Sequence, residues 1–179
     1  MTATTPRRPD VILIGLGQPD RGDDAVGPAI VARVRARHGD HLTVVTREDP
    51  TALVQVWDGH RAAVVADAVV SGAPPGAVSV TRAGAADPPL PTHAFTASGR
   101  GGSHAFGVAG AVELARVLGT LPQVVVIVGV EAASFAHGPM SPQVEDAIDD
   151  AVATVEAELT AALRLAPTTD THAEVEPCA

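Results

Sequence analysis

The stretch "GLGQPDRGDDAVG", Gly15 to Gly27, follows directly on the apolar run "VILI". A short β-branched run closed by glycine is the pattern of a buried strand. The residues after it, "AVGPAIVARVRARHG", carry apolar side chains at helical spacing. They end on Arg, His and Gly39, a helix stop. The quoted stretch is therefore the turn between a first strand and a first helix. It admits three readings: a phosphate cradle, a plain helix start, or part of a metal site.

The phosphate reading fails on spacing and charge. A dinucleotide turn needs glycines at relative positions one, three and six, and here the sixth position is Asp20. Three aspartates crowd the loop, and carboxylates repel phosphate. The chain has no Lys at all, hence no Walker lysine. Helix capping accounts for one of Asp23 and Asp24. The other is left to point over the strand ends; taken with the polar residues and the resemblance given below, Asp23 reads as the cap and Asp24 as the ligand.

Further along, "LTVVT" predicts a second strand and "PTALVQVW" a short helix. "AAVVADAVV", Ala62 to Val70, predicts a third strand. "SGAPPG" is a turn short enough for a hairpin into a fourth, antiparallel strand, Ala77 to Arg82. A Pro-, Gly- and Ser-rich stretch from Ala83 to Gly102 has no period, and its length marks a functional segment. "SHAFGVAGAVELARVLG" predicts a helix from Ser103 to Gly119, "VVVIVGV" a fifth strand, and "SPQVEDAIDDAVATVEAELTAALRL" a long amphipathic helix. The alternation predicts a single α/β domain over 10–165. It is a three-layer sandwich around a mostly parallel five-stranded sheet with one antiparallel strand, flanked by a flexible 1–9 and a disordered tail, 166–179. Ligand sites in such folds lie at the C-terminal strand ends.

Composition bounds the function. The 179 residues carry a net charge of −9, which argues against nucleic acid and anionic membrane as partners. The one cysteine, Cys178, forms no intrachain disulfide and no Cys-rich zinc site. No apolar stretch has signal-peptide or membrane-helix character, so a soluble cytoplasmic protein is expected; a monomer is expected as well.

Three polar residues stand out at predicted strand ends. Asp67 interrupts an otherwise small and apolar strand, where a carboxylate costs several kcal/mol unless paired or bound to a cation. His104 opens a helix whose dipole keeps its imidazole neutral, the metal-binding form. Asp24 completes the set. His93 in the long stretch and His137 after the fifth strand compete with His104. Two carboxylates and an imidazole suit Ni, Zn or Mn. A Ser-His-Asp triad is disfavoured, since no nucleophile elbow exists and Ser103 adjoins His104.

With these residues in place, the chain resembles the hydrogenase maturation proteases, nickel-dependent endopeptidases. The family's first turn reads Gly, Ile or Val, Gly, Asn, four residues, Asp, Asp or Glu, two residues, Gly. Here it is Gly15-Leu16-Gly17-Gln18 through Asp23-Asp24 to Gly27. Ala66-Asp67 with Pro75-Gly76, Ser103-His104, and "GVEAASFAHGPMSPQV" also resemble family segments in order and spacing. Gln18 replaces the usual Asn, and "REDPT", Arg47 to Thr51, replaces the family's "DGGT".

The resemblance implies a phosphorylase/hydrolase-like fold and metal contacts at Asp24, Asp67 and His104. It implies an aspartic-type hydrolase that removes the C-terminal peptide of a NiFe hydrogenase large-subunit precursor after nickel insertion. The nickel would come with the precursor, and Zn or Cd would substitute in the isolated protein. A non-cleaving nickel- or precursor-binding chaperone and a nucleotide-binding α/β enzyme are the alternatives. Glu131, His172 and Cys178 receive no role.

Overall fold

The computed structural model describes residues 10–39, 42–90 and 107–165. The candidates His93, Ser103 and His104, and the tail with His172 and Cys178, lie outside them.

The apolar runs form five strands, β1 (Val11–Leu16), β2 (Thr43–Arg47), β3 (Ala62–Val69), β4 (Val78–Arg82) and β5 (Val124–Glu131). The helices are α1 (Val26–His38), α2 (Leu53–Val56), α3 (Val108–Leu118) and α4 (Pro142–Leu165). The sheet order is β2-β1-β3-β5-β4. The β1–β2, β1–β3 and β3–β5 pairs are parallel, and β4 runs antiparallel to β5.

Strand periodicity sends alternate residues to opposite faces, and both faces are covered. On one face Val11, Leu13, Val64, Val126 and Val128 pack on Val26, Ile30 and Val34 of α1 and on Val144, Ile148, Val152 and Val155 of α4. On the other, Ile12, Ile14, Val65, Val125 and Ile127 pack on Leu53 and Trp57 and on Val108, Val112 and Ala115 of α3. Trp57 supplies the bulk on that face that the aliphatic residues lack, and it is fully buried. The first eight residues of the long aperiodic stretch are tied to α3. Leu90 N donates to Glu113 Oε1 (3.1 Å), and the Arg116 guanidinium donates to the Gly84 and Ala85 carbonyls.

The expected β3–β4 hairpin does not form. Both edges of β3 are taken, by β1 and by β5, so the turn after β3 carries the chain past β5 to pair on its far side. Glu131, at the end of β5, is the post around which this turn is wound. Its carboxylate accepts from the Ser71 and Gly72 amides (2.9–3.0 Å) and the Ser71 hydroxyl (2.7 Å). The Glu131 carbonyl accepts from Gly76 N (2.8 Å), and its amide donates to the Ala77 carbonyl (2.9 Å). A buried carboxylate with three donors is satisfied, which gives Glu131 a structural role.

Candidate active site

The parallel strands end together at one edge of the sheet, and the turn quoted at the outset lies across it. Gly17 leaves β1 with a φ of 123°. A Cβ there would lie 1.8 Å from the Asp24 carbonyl oxygen, so only glycine lets the loop fold back against Asp24. Residues Gly22–Ala25 then form a single 3-10 turn that feeds α1.

Asp23 and Asp24, adjacent in sequence, do different work. The Asp23 side chain caps neither the 3-10 turn nor α1, which corrects the sequence expectation. It is fully buried and crosses to the loop after β5. There Oδ2 accepts from the Ala133 and Ser134 amides (2.7 and 2.8 Å) and Oδ1 from the Ser141 amide (2.6 Å). Ser141 immediately precedes α4, so Asp23 ties the first turn to the entry of the last helix. Burial opposes its ionisation, but the amides of Ser141, Ser134 and Ala133 outweigh burial and hold its pKa below the usual value.

Asp23→Ala would leave three part-buried amides without their acceptor and is expected to cost about 3 kcal/mol. Denaturant melts at pH 7 would show this as a lower midpoint at unchanged slope. A depressed carboxylate stabilises above its unfolded pKa and loses that contribution as pH falls through its folded value. The gap between wild type and Asp23→Ala should therefore narrow in acid, below about pH 4. A gap of equal size at every pH would refute an ionised Asp23.

Asp24 is partly exposed, and its Oδ2 accepts from the Gln18 amide at 3.0 Å. The side-chain amide of Gln18 reaches 3.4 Å to Glu48 Oε2. The residue that replaces the family's Asn thus links two carboxylates. Asp67 lies two residues before the end of β3 and pairs with Gly129 of β5. By strand alternation it continues the row of Ala63 and Val65, on the side covered by α3. Burial raises its pKa, and the Asp24 carboxylate raises it further, to about 8. At neutral pH Asp67 is therefore mostly protonated while it faces Asp24.

Both carboxylates line one small cavity of about 40 Å³, with Leu16, Gly17, Glu48, Pro50 and the start of α3 at Gly107 and Val108. That volume admits an ion or a few waters. It is far below what a nucleotide needs, which counts against the nucleotide-binding alternative. Gly107, three residues after His104, lies on its wall. Among the described residues no third ligand completes a metal site with Asp24 and Asp67. His137 is not on this wall; it is exposed, with Nδ1 3.2 Å from the Asp20 carbonyl oxygen. Glu48 is the lining residue that sequence reasoning did not single out. Its one sequence signal is its place immediately after a parallel strand.

The doubly covered sheet and the paired carboxylates at its C-terminal edge define an α/β sandwich protein with an acidic, ion-sized pocket. The chain belongs to the hydrogenase maturation protease family, whose model matches residues 49–158. That places it among proteases. The match takes in Asp67 and position 104, whereas Asp24 lies before it.

The hydrogenase maturating endopeptidase HybD from E. coli is 25% identical. It covers 84% of this chain and 92% of its own, with a TM-score of 0.70. An endopeptidase from Escherichia coli solved in solution is 23% identical, with a TM-score of 0.67 over 86% of this chain and 91% of that one. The NiFe hydrogenase maturation protease HybD from Thermococcus kodakarensis is 20% identical, with a TM-score of 0.59 over 83% and 97%. The last two, below 25% identity, bear on the fold alone. No significant match is found among curated proteins.

Proposed function

We propose that this protein is the endopeptidase that removes the C-terminal peptide of a hydrogenase large-subunit precursor, and that it recognises the nickel already inserted there. The observation that carries the reading is the convergence of Asp24 and Asp67 on one ion-sized cavity, with Asp67 holding a proton beside its partner.

The donor set fits a divalent cation. Two carboxylates facing one cavity repel each other, and a proton relieves that repulsion in the free protein. A cation relieves it better, so entry of the metal expels the Asp67 proton. His104 is the proposed third ligand, three positions before Gly107 of the cavity wall. Two carboxylates, one of them protonated, bind free metal weakly, so nickel presented by the precursor docks the scissile peptide instead. Bound metal supplies Lewis-acid polarisation of a water or carbonyl. Asp24 is held in place through Oδ2 by the Gln18 amide and is the carboxylate positioned to accept the proton of the attacking water. Water adds to the carbonyl carbon, the C–N bond breaks, and the amine leaves with a proton.

The partner is then the precursor, the compartment the cytoplasm where it is made, and the working unit a monomer. Zn or Cd would occupy the site in the isolated protein.

Mass spectrometry of the precursor with and without its nickel tests the reading. Wild type should shorten only the nickel-loaded form. Asp24→Ala, Asp67→Ala and His104→Ala should each slow cleavage by about 100-fold or more. A precursor that binds and stays intact would identify a chaperone, and full activity in all three variants would remove the proposed site.

A further inference from the structure

The sheet has two edges, β2 and β4, and β2 is the one beside the carboxylates. It runs parallel to β1 and ends at Arg47, and Glu48 and Pro50, just beyond, line the acidic cavity. The Gly17 amide donates to the Arg47 carbonyl (2.9 Å), so Arg47 bonds inward to β1. Alternation along the strand turns Val45 and Thr43 inward as well, and turns the backbone groups of Val44 and Thr46 away from β1. The Thr46 carbonyl accordingly accepts from the Arg47 guanidinium at 2.7 Å, on the outer side.

Beside this strand lies an open groove of about 470 Å³. Thr43, Val45, Gln55 and Val56 form part of its lining, and its titratable lining residues are Arg47 and His60, with no carboxylate. In a chain of net charge −9 that is a local inversion of sign.

We infer that the β2 edge docks the C-terminal segment of the precursor as an added antiparallel strand. This rests on the processing reading above and names the surface that aligns its substrate. The scissile bond would lie at the acidic cavity. The residues beyond it descend along β2, which at about 3.3 Å per residue accommodates four or five of them. The Val44 and Thr46 amides supply the main-chain bonds. Arg47 marks the cavity end of the groove and His60 its far end, and a groove lined by these two without a carboxylate suits an anionic segment, such as one that ends in an α-carboxylate. Sheet addition by a second copy is the competing occupant.

Proline tests the edge selectively, because an edge strand tolerates it where the N–H faces outward. Thr46→Pro should raise KM for nickel-loaded precursor about 10-fold with kcat little changed, and Thr46→Ala should behave as wild type. Independently, a synthetic peptide of the precursor's C-terminal segment should slow hydrogen exchange at the Val44 and Thr46 amides of the full chain.

Wild-type KM in Thr46→Pro, or no added protection at those two amides with the peptide, overturns the inference. Protection that grows with protein concentration and needs no peptide assigns the edge to a second copy, and also overturns it. An intact nickel-loaded precursor after incubation with wild type would instead refute processing, even if the peptide protects β2. Unaltered cleavage with unprotected amides would refute docking on β2 alone.

Discussion

Asp67→Asn should abolish processing and make the protein more stable in mild alkali. The first effect follows if Asp67 must give up its proton and hold a cation, because an amide cannot carry the charge. The second follows from linkage. The folded protein holds the Asp67 proton to about pH 8, while an unfolded chain releases it near the ordinary aspartate value of 3.8. Between those values the folded state binds more protons, so wild-type stability falls as pH rises through that window.

Asn has no proton to lose and removes this slope. Each tenfold change in proton affinity is about 1.4 kcal/mol, and partial solvent contact screens the effect to the order of 2 kcal/mol. At pH 9 the variant should melt about 5 °C above wild type. At pH 4 the two should nearly coincide. Melting curves against pH are the measurement, and parallel profiles would show that Asp67 is ionised in the free protein. Excess divalent metal should flatten the wild-type slope, since a cation replaces the proton.

Gly27→Ala should be severely damaging although it adds a single methyl group. A Cβ at Gly27 would sit 2.1 Å from the Leu16 carbonyl oxygen and 2.5 Å from that of Ala66. Both are backbone atoms of adjacent strands, so no rotamer change relieves the clash. α1 would have to lift from the sheet, which also displaces the turn that holds Asp24. The expected cost is at least about 3 kcal/mol, together with loss of processing. An urea midpoint near wild type would show that α1 has slack the structure does not display.

Much of this was legible in the chain as written. Runs such as "VILI" and "VVVIVGV" read as strands because a sheet covered on both faces needs apolar side chains on both. Gly15 and Gly17 marked a tight exit from the first strand. Asp67 stood out because nothing else in its strand is charged. Pairing choice was not legible. A short turn after β3 suggests a hairpin, and only the occupancy of both β3 edges shows why β4 crosses to β5. The roles of Glu131 and Asp23 were hidden for the same reason. Each binds amides 59 or more residues away in the chain, and sequence periodicity carries no signal of such partners.

Asp23 and Asp24 mark that boundary most sharply. The sequence by itself determined that a strand leads to a helix through a glycine-bounded acidic turn, because local propensity and spacing act over a few residues. It also marked Asp67, as the charge in an apolar strand, and through its resemblance to known family segments paired it with Asp24. Which of the two neighbours is buried as a tie to α4 and which meets Asp67 was decided only in three dimensions. Desolvation and carboxylate repulsion depend on distance through space, and there Asp24 and Asp67, 43 positions apart in the chain, share one cavity.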